Sequence, residues 1–200
     1  MKRWRVDGEP SPDVLDEIAD VIRAGGVALL PTDTIYGLHA SATNEQAVAR
    51  IRSMKERGDD KPFVVIASSI EQLQTLGATI PDALHEIWPA PLTAIVAAGE
   101  RTIAARVPDL GWLRALLDRT GPLVSTSANR SGQPPITTPE MLADDLSNSL
   151  NALLDALLDA GPREGQPSTI VDFTGEEPRM IREGDPGFSQ ILRKRLWKGL

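Results

Sequence analysis

Short apolar runs closed by glycine or proline alternate along this chain with longer stretches of helical periodicity, and that alternation constrains the fold more than any other feature. Val14, Leu15, Ile18, Val21 and Ile22 recur at helical spacing, so 13–24 reads as an amphipathic helix that Gly25-Gly26 stops. Val27-Ala28-Leu29-Leu30 follows and ends at Pro31, the pattern of a short buried strand. A second helix is expected to begin near Thr43, with Gln46 completing a capping box and Ala47, Val48, Ile51 and Met54 facing the core. Residues 63–67 read as a strand, 69–76 and 81–88 as short helices, and 92–98 and 102–107 as strands. A helix over 110–119 turns Trp112, Leu113, Leu116 and Leu117 inward, and 123–126 is a further strand. Pro139 behind Thr138 reads as the first turn of a helix. The Leu- and Ala-rich stretch 146–158 is expected to be helical, ending at Gly161-Pro162. Strands are expected at 169–173 and 179–182, then a basic amphipathic helix over 188–198 that docks on the domain, with membrane or RNA contact as the alternative.

Alternating helices and strands favour α/β layers around one sheet. The late strand pair makes that sheet mixed rather than all-parallel. No Gly/Ser-rich linker and no repeat divides the chain, so one domain over 1–200 is expected, with its core at about 13–186. Two hundred residues are enough for a sizeable core. No apolar run approaches the roughly 18 residues of a membrane span, and no hydrophobic region follows the basic start Met1-Lys2-Arg3. Neither a membrane segment nor a signal peptide is therefore expected. The absence of cysteine excludes disulfides, thiolate metal sites and a cysteine nucleophile, and fits a cytoplasmic protein. A net charge of −7 argues against a surface that coats nucleic acid. Arg50, Arg52, Lys55, Arg57 and Lys61 nevertheless form a local basic cluster. It reads either as a pocket wall for a small anion or as a solvated helix face.

The chemistry is concentrated in polar segments that follow apolar runs. Ser125-Thr126-Ser127-Ala128-Asn129-Arg130-Ser131-Gly132 follows Leu123-Val124 and suits a polar, anionic ligand better than a core. Thr32, Thr34 and Tyr36 follow the first strand, where Gly37 permits close backbone approach; a tight turn with capping threonines is the alternative. Ligands in open α/β sheets collect at the carboxyl ends of strands, which places both segments around one pocket. Lys55, Arg57 and Lys61 lie where a helix gives way to a strand and suit phosphate or carboxylate; complementing the helix dipole is the plainer explanation. Arg106 sits among Ala104, Ala105, Val107 and Pro108, and a guanidinium there needs a partner: a substrate carboxylate or a structural salt bridge. His39 and His85 read as structural, and no metal constellation, Walker A lysine motif or dinucleotide fingerprint is visible. Ser125 and Ser127 lack a nucleophile-elbow pattern, so positioning and charge stabilisation are expected rather than covalent catalysis.

These motifs occur in a recognisable order. Pro31–Leu38, Lys55/Arg57/Lys61-Pro62, Pro89-Ala90-Pro91-Leu92-Thr93, Ala105-Arg106-Val107-Pro108, Ser125–Gly132, Pro167–Asp172 and Ile181-Arg182 together resemble the YrdC-like threonylcarbamoyl-adenylate synthases from about residue 13 to about 186. The resemblance implies a twisted, mixed sheet flanked by helices around a concave, positively lined site, in the short single-domain form. It implies synthesis of L-threonylcarbamoyl-AMP and pyrophosphate from L-threonine, bicarbonate or CO2, and ATP. A downstream transfer complex would then modify adenosine at tRNA position 37. By resemblance, Thr32, Thr34, Arg106, Ser125 and Ser168 hold L-threonine. Lys55, Arg57, Lys61, Thr102, Ser127, Asn129, Pro135 and Arg182 hold ATP, with Lys55 and Arg57 closest to the chemistry. Mg²⁺ would travel with ATP, without a dedicated protein site. Weak contact with tRNA or double-stranded RNA is compatible, and no membrane partner is expected. Four positions depart from the family pattern: Ala90 and His39 replace usual glycines, Gly58 a common proline, and Ile66 a histidine found in some members. A same-fold paralogue with another substrate, a non-enzymatic RNA-binding module and an inactive scaffold are the competing expectations.

Overall fold

The computed structural model describes residues 1–55, 62–129, 135–141 and 153–197. The strands are β1 (Lys2–Arg5), β2 (Ala28–Pro31), β3 (Tyr36–Ser41), β4 (Val64–Ile66), β5 (Leu92–Ala98), β6 (Arg101–Arg106), β7 (Leu123–Ser127), β8 (Ala156–Asp159), β9 (Thr169–Asp172) and β10 (Arg179–Arg182). The helices are α1 (Pro12–Arg23), α2 (Glu45–Met54), α3 (Ile70–Gln74), α4 (Asp82–Ile87), α5 (Gly111–Thr120) and α6 (Pro186–Leu196). All ten strands join one sheet in the order β1-β8-β2-β3-β7-β4-β6-β5-β9-β10. It is mixed as expected: β4 runs parallel to β6 and β5 to β9, whereas β3–β7, β4–β7 and β5–β6 are antiparallel.

Local chemistry explains the helix limits. Ser11 caps α1 by accepting the Val14 N–H, ahead of Pro12 in the first turn. Asn44, not Thr43, caps α2 by accepting the Ala47 N–H at 3.0 Å. The expected capping box is therefore absent, and the Thr43 hydroxyl pairs with that of Ser41 instead. Gly121, at φ 75°, ends α5 in a conformation that favours glycine.

Three strands depart from the sequence expectation. Residues 156–159, expected as the end of a helix, form β8 between β1 and β2, with every residue buried. A central strand covered on both faces is apolar throughout, and that composition does not separate it from a buried helix. β3 escaped notice because Gly37 and His39 interrupt its apolar alternation. β1 has little strand character of its own and is set by parallel pairing of residues 2–5 with β8. Near Pro139 there is a turn closed by the Met141 N–H on the Thr138 carbonyl; 142–152 lie outside the described residues.

Residues paired across strands share a face. The register therefore puts His39, Ser125, Val64, Ala104 and Ile95 on one face. On that face Leu15, Ile18 and Ile22 of α1 and Leu113, Leu116 and Leu117 of α5 cover Ala28, Leu30, Ile66 and Leu123. The opposite face is covered by α2 over Leu38, Ala40 and Val124, and by Leu73, Leu84 and Leu192 of α3, α4 and α6 over Ala94, Val96, Ala105 and Val171. The first face is thus roofed by helices over only part of its area, and the uncovered part, over β7, β4, β6 and β5, is the floor of a cavity.

Leu158 is fully buried in β8. Leu158→Ala should cost about 2–5 kcal/mol in urea unfolding, whereas Ile191→Ala on the exposed side of α6 should cost less than about 0.5 kcal/mol.

Candidate functional site

The cavity has a volume of about 340 Å³. Thr32, Thr34, Ser125, Ser127 and Pro135 contribute to its wall, as do Arg106, Ser168 and Arg182, over an apolar floor of Val64, Ala104, Ile95 and Ile170. Ser125, Thr126 and Ser127 belong to β7 itself rather than to a loop beyond it, so the cavity lies on a sheet face and not solely at carboxyl ends of strands.

Thr32 closes the turn between β2 and β3. Its hydroxyl donates to the Ile35 carbonyl at 2.8 Å and accepts the Thr34 and Ile35 N–H groups. The turn reading of Thr32 is thereby satisfied, and the neighbouring Thr34 hydroxyl accepts from Arg106 at 3.2 Å. Arg106 is buried, and its guanidinium is paired with the equally buried Asp33 carboxylate. The structural salt bridge anticipated for this arginine is present, and Arg106 also lines the cavity. The Nε of Arg106 has no hydrogen-bond partner among the described residues. Burial lowers the Arg106 pKa, and Asp33 opposes that shift.

Ser168 and Arg182 form a second group. The Ser168 and Thr93 hydroxyls lie 2.8 Å apart, and Arg182 donates to the Ser168 carbonyl through Nε at 3.1 Å and NH2 at 2.7 Å. No carboxylate pairs with Arg182 among the described residues. Burial lowers its pKa, and the positive charge of Arg106 lowers it further. An anion placed between the two arginines would relieve that repulsion.

Lys55 caps the end of α2 and is buried. Its ammonium donates to the Ser127 carbonyl at 2.7 Å, the Asn129 carbonyl at 2.6 Å and the Asn129 Oδ1 at 2.8 Å. It therefore ties the end of α2 to the end of β7 and holds a positive charge against the cavity-lining Ser127. Thr102 is exposed on β6, on the same face as Ala104 and Arg106. Arg57, Gly58 and Lys61 lie outside the described residues.

Sequence reasoning passed over Asp33 and Thr93, whose roles come from partners distant in the chain. It also gave no partner for Tyr36, whose hydroxyl donates to the Gly161 carbonyl at 2.7 Å and accepts the Ala160 N–H at 3.1 Å. Desolvation raises the Tyr36 pKa. Gly165 packs its Cα against the Thr34 carbonyl so closely that no side chain fits there. Further along the same segment, Pro167 and Ser168 line the cavity. Two of the departures from the family pattern are absorbed by the core: Ile66 is buried against α1 and α5, and Ala90 packs in the core beside Leu84 and Trp88. Among the described residues there is no metal-binding cluster of acidic, histidine or cysteine side chains, and no helix is long and apolar enough to cross a membrane.

His39 is fully buried, as a structural histidine would be. Its ring presses against Gly37, where a Cβ would lie 2.8 Å from Nε2, and both ring nitrogens lack partners among the described residues. Desolvation, helped by the positive charge of Arg106, lowers its pKa to about 3 against a smaller opposing pull from the Leu30 and Val124 backbone, which approaches the ring without forming a well-aligned hydrogen bond. The unfolded chain therefore binds a proton at this position between about pH 6.5 and 3 that the folded chain does not, and stability falls as pH drops through that window. Thermal melts should show Tm falling from pH 7.5 to 5.5, and His39→Gln should flatten that slope.

A family model for Sua5, YciO and YrdC proteins, described as telomere recombination, matches residues 20–184. A putative threonylcarbamoyl-AMP synthase of Mycobacterium tuberculosis is 36% identical over 185 residues, covering 85% of this chain and 83% of that protein. A threonylcarbamoyl-AMP synthase of Pseudomonas aeruginosa is 36% identical over 173 residues, covering 79% of this chain and 92% of that one. The crystal structure of Pyrococcus abyssi Sua5 complexed with L-threonine superposes with a TM-score of 0.86 at 30% identity, over 98% of this chain. This chain spans 61% of the length of that protein.

Proposed function

Because the chain belongs to the Sua5/YciO/YrdC family, we propose that it is an L-threonylcarbamoyladenylate synthase, a nucleotidyltransferase that condenses L-threonine, CO2 or bicarbonate, and ATP. The observation that carries this reading is a single cavity with two arginines on separate supports. Arg106 is braced by Asp33 and Thr34, and Arg182 by the backbone of Ser168. The reaction requires an amino-acid carboxylate and a polyphosphate in one enclosure, and the two cations supply one anchor for each. Relatives named for this product, and a relative bound to L-threonine, support the same reading.

In the proposed reaction Arg106 grips the threonine carboxylate, with Thr32, Thr34, Ser125 and Ser168 around the rest of the amino acid. The threonine amine, once neutral, forms a bond to the carbon of CO2 as a C=O π pair moves onto oxygen, and the extra nitrogen proton passes to water, giving a carbamate. A carbamate oxygen then forms a bond to the α-phosphorus of ATP as the bond from that phosphorus to the bridging oxygen breaks. Pyrophosphate leaves with the electron pair. Arg182 with Arg57 and Lys61, and the hydroxyl and amide groups of Thr102, Ser127 and Asn129, hold the nucleotide, with Pro135 as part of its wall; Lys55, its ammonium donors given to Ser127 and Asn129, fixes those groups and adds its positive charge. These cations offset charge that grows on the α-phosphoryl oxygens and the departing pyrophosphate. Among the described residues the donor set of the cavity does not form a cage for Mg²⁺, since the nearby carboxylate of Asp33 is already engaged by Arg106. A magnesium ion would therefore be held by the phosphates and water. The product suits hand-over to a transfer complex acting on tRNA, in the cytoplasm where ATP and tRNA are available. Any direct contact with RNA would be weak, given the net charge of −7.

Pyrophosphate release from purified protein with ATP and Mg²⁺ should require both L-threonine and bicarbonate, and L-serine should substitute poorly. Equal rates with glycine, serine and threonine would remove threonine as the substrate. Tight, salt-sensitive tRNA binding without turnover would replace the enzyme reading with an RNA-binding one. Arg182→Ala should raise the KM for ATP about tenfold or more, through loss of a charge-assisted contact, and leave Tm nearly unchanged.

A further inference from the structure

Asp33 is absent from the cavity wall that its neighbours Thr32 and Thr34 help to form. One of its oxygens accepts from NH2 of Arg106, and the other accepts the backbone N–H of Asp109 at 3.0 Å. The carboxylate therefore bridges the side chain of Arg106 and the backbone three residues further on, where the chain leaves β6. Both side chains of the pair are less than a tenth exposed, 7% and 8%. From this geometry we infer that Asp33 is a positioning residue for the amino-acid end of the site: it holds the Arg106 guanidinium in the orientation that receives the substrate carboxylate. The inference rests on the reading that Arg106 receives that carboxylate.

A guanidinium offers five N–H donors in a rigid fork, so fixing part of it orients the rest. Asp33 holds one N–H of NH2 and Thr34 one of NH1; Nε is buried, so the second N–H of each terminal nitrogen is what the fork can offer a ligand. Without Asp33 the buried guanidinium would be uncompensated and would turn toward water or another acceptor. It would also face the positive charge of Arg182 without a counter-charge beside it.

Removing Asp33 has two opposed effects. A carboxylate already seated on Arg106 competes with an incoming one, so its loss could tighten binding. Its loss also frees the arginine, which weakens binding. The second effect should win, because Asp33 is anchored to the Asp109 N–H as well as to the arginine. It is part of the wall behind Arg106 rather than a mobile occupant of the ligand's place. Asparagine cannot reproduce the arrangement, since a single amide oxygen would have to serve two donors while its NH2 group faced one of them.

The test is steady-state pyrophosphate release by the full chain and its Asp33→Asn and Asp33→Glu variants, varying L-threonine and ATP separately, with calorimetric titration of L-threonine alone. Asp33→Asn should raise the KM and Kd for L-threonine about tenfold or more and leave the KM for ATP unchanged. Asp33→Glu, which keeps the charge, should recover part of the loss. An unchanged or lowered threonine KM in Asp33→Asn overturns the inference, and so does a rise in both KM values together, the mark of a purely structural role. Should Asp33→Asn fold poorly, Asp33→Glu decides alone: a raised threonine KM with normal ATP KM supports positioning, and two unchanged values contradict it. Failure of the wild-type protein to bind L-threonine would be a different result, overturning the reading of the site and this inference with it.

Discussion

A buried guanidinium must have a counter-charge, and in this protein that requirement joins separate parts of the chain. Arg106 ends β6 on the partly covered face of the sheet, and Asp33 comes from the turn between β2 and β3. Their pairing, with the Thr34 and Asp109 contacts, staples that turn to the end of β6. Removing one partner of such a pair leaves a buried charge, which typically costs about 3–5 kcal/mol. The turn and the arginine are therefore not independently movable. The end of the cavity beside Arg106 inherits its geometry from them.

The cavity exists because helical cover on one face of the sheet is incomplete. α1 and α5 pack over Ala28, Leu30, Ile66 and Leu123. Beyond them, the same face presents Val64, Ala104 and Ile95 as a floor, with hydroxyls and cations at its margins. The opposite face is occupied by α2, α3, α4 and α6, so this cavity opens on one side of the sheet. Lys55 links the two sides: it leaves the end of α2 and fixes the end of β7, where Ser127 meets the cavity. Packing and site are thus produced by the same elements.

Much of this was legible in the sequence because it is written in local patterns. The period of Leu15, Ile18 and Ile22 marked α1, and the run Ala28–Pro31 marked β2. Thr34 and Arg106 stood out as polar or charged residues beside apolar runs, Ser168 and Arg182 entered through the family resemblance, and the structure brings all four to one cavity. β8 was misread because leucine and alanine suit a buried helix as well as a buried strand, and only its neighbours in the sheet decide. Thr43 and Gln46 satisfied a capping pattern that Asn44, one residue later, satisfied in fact. Asp33 and Thr93 went unassigned because their partners lie 73 and 75 residues away, and no local pattern encodes such a contact.

The central claim is that Arg106 receives the amino-acid carboxylate in this cavity. A crystal structure of the protein with L-threonine tests it most directly. The account predicts the carboxylate on the Arg106 guanidinium, with the Asp33 pair intact behind it and the amine directed toward the space between Ser127 and Arg182. A carboxylate bound to Arg182 instead, or displacement of Asp33 from Arg106 by the ligand, would contradict it.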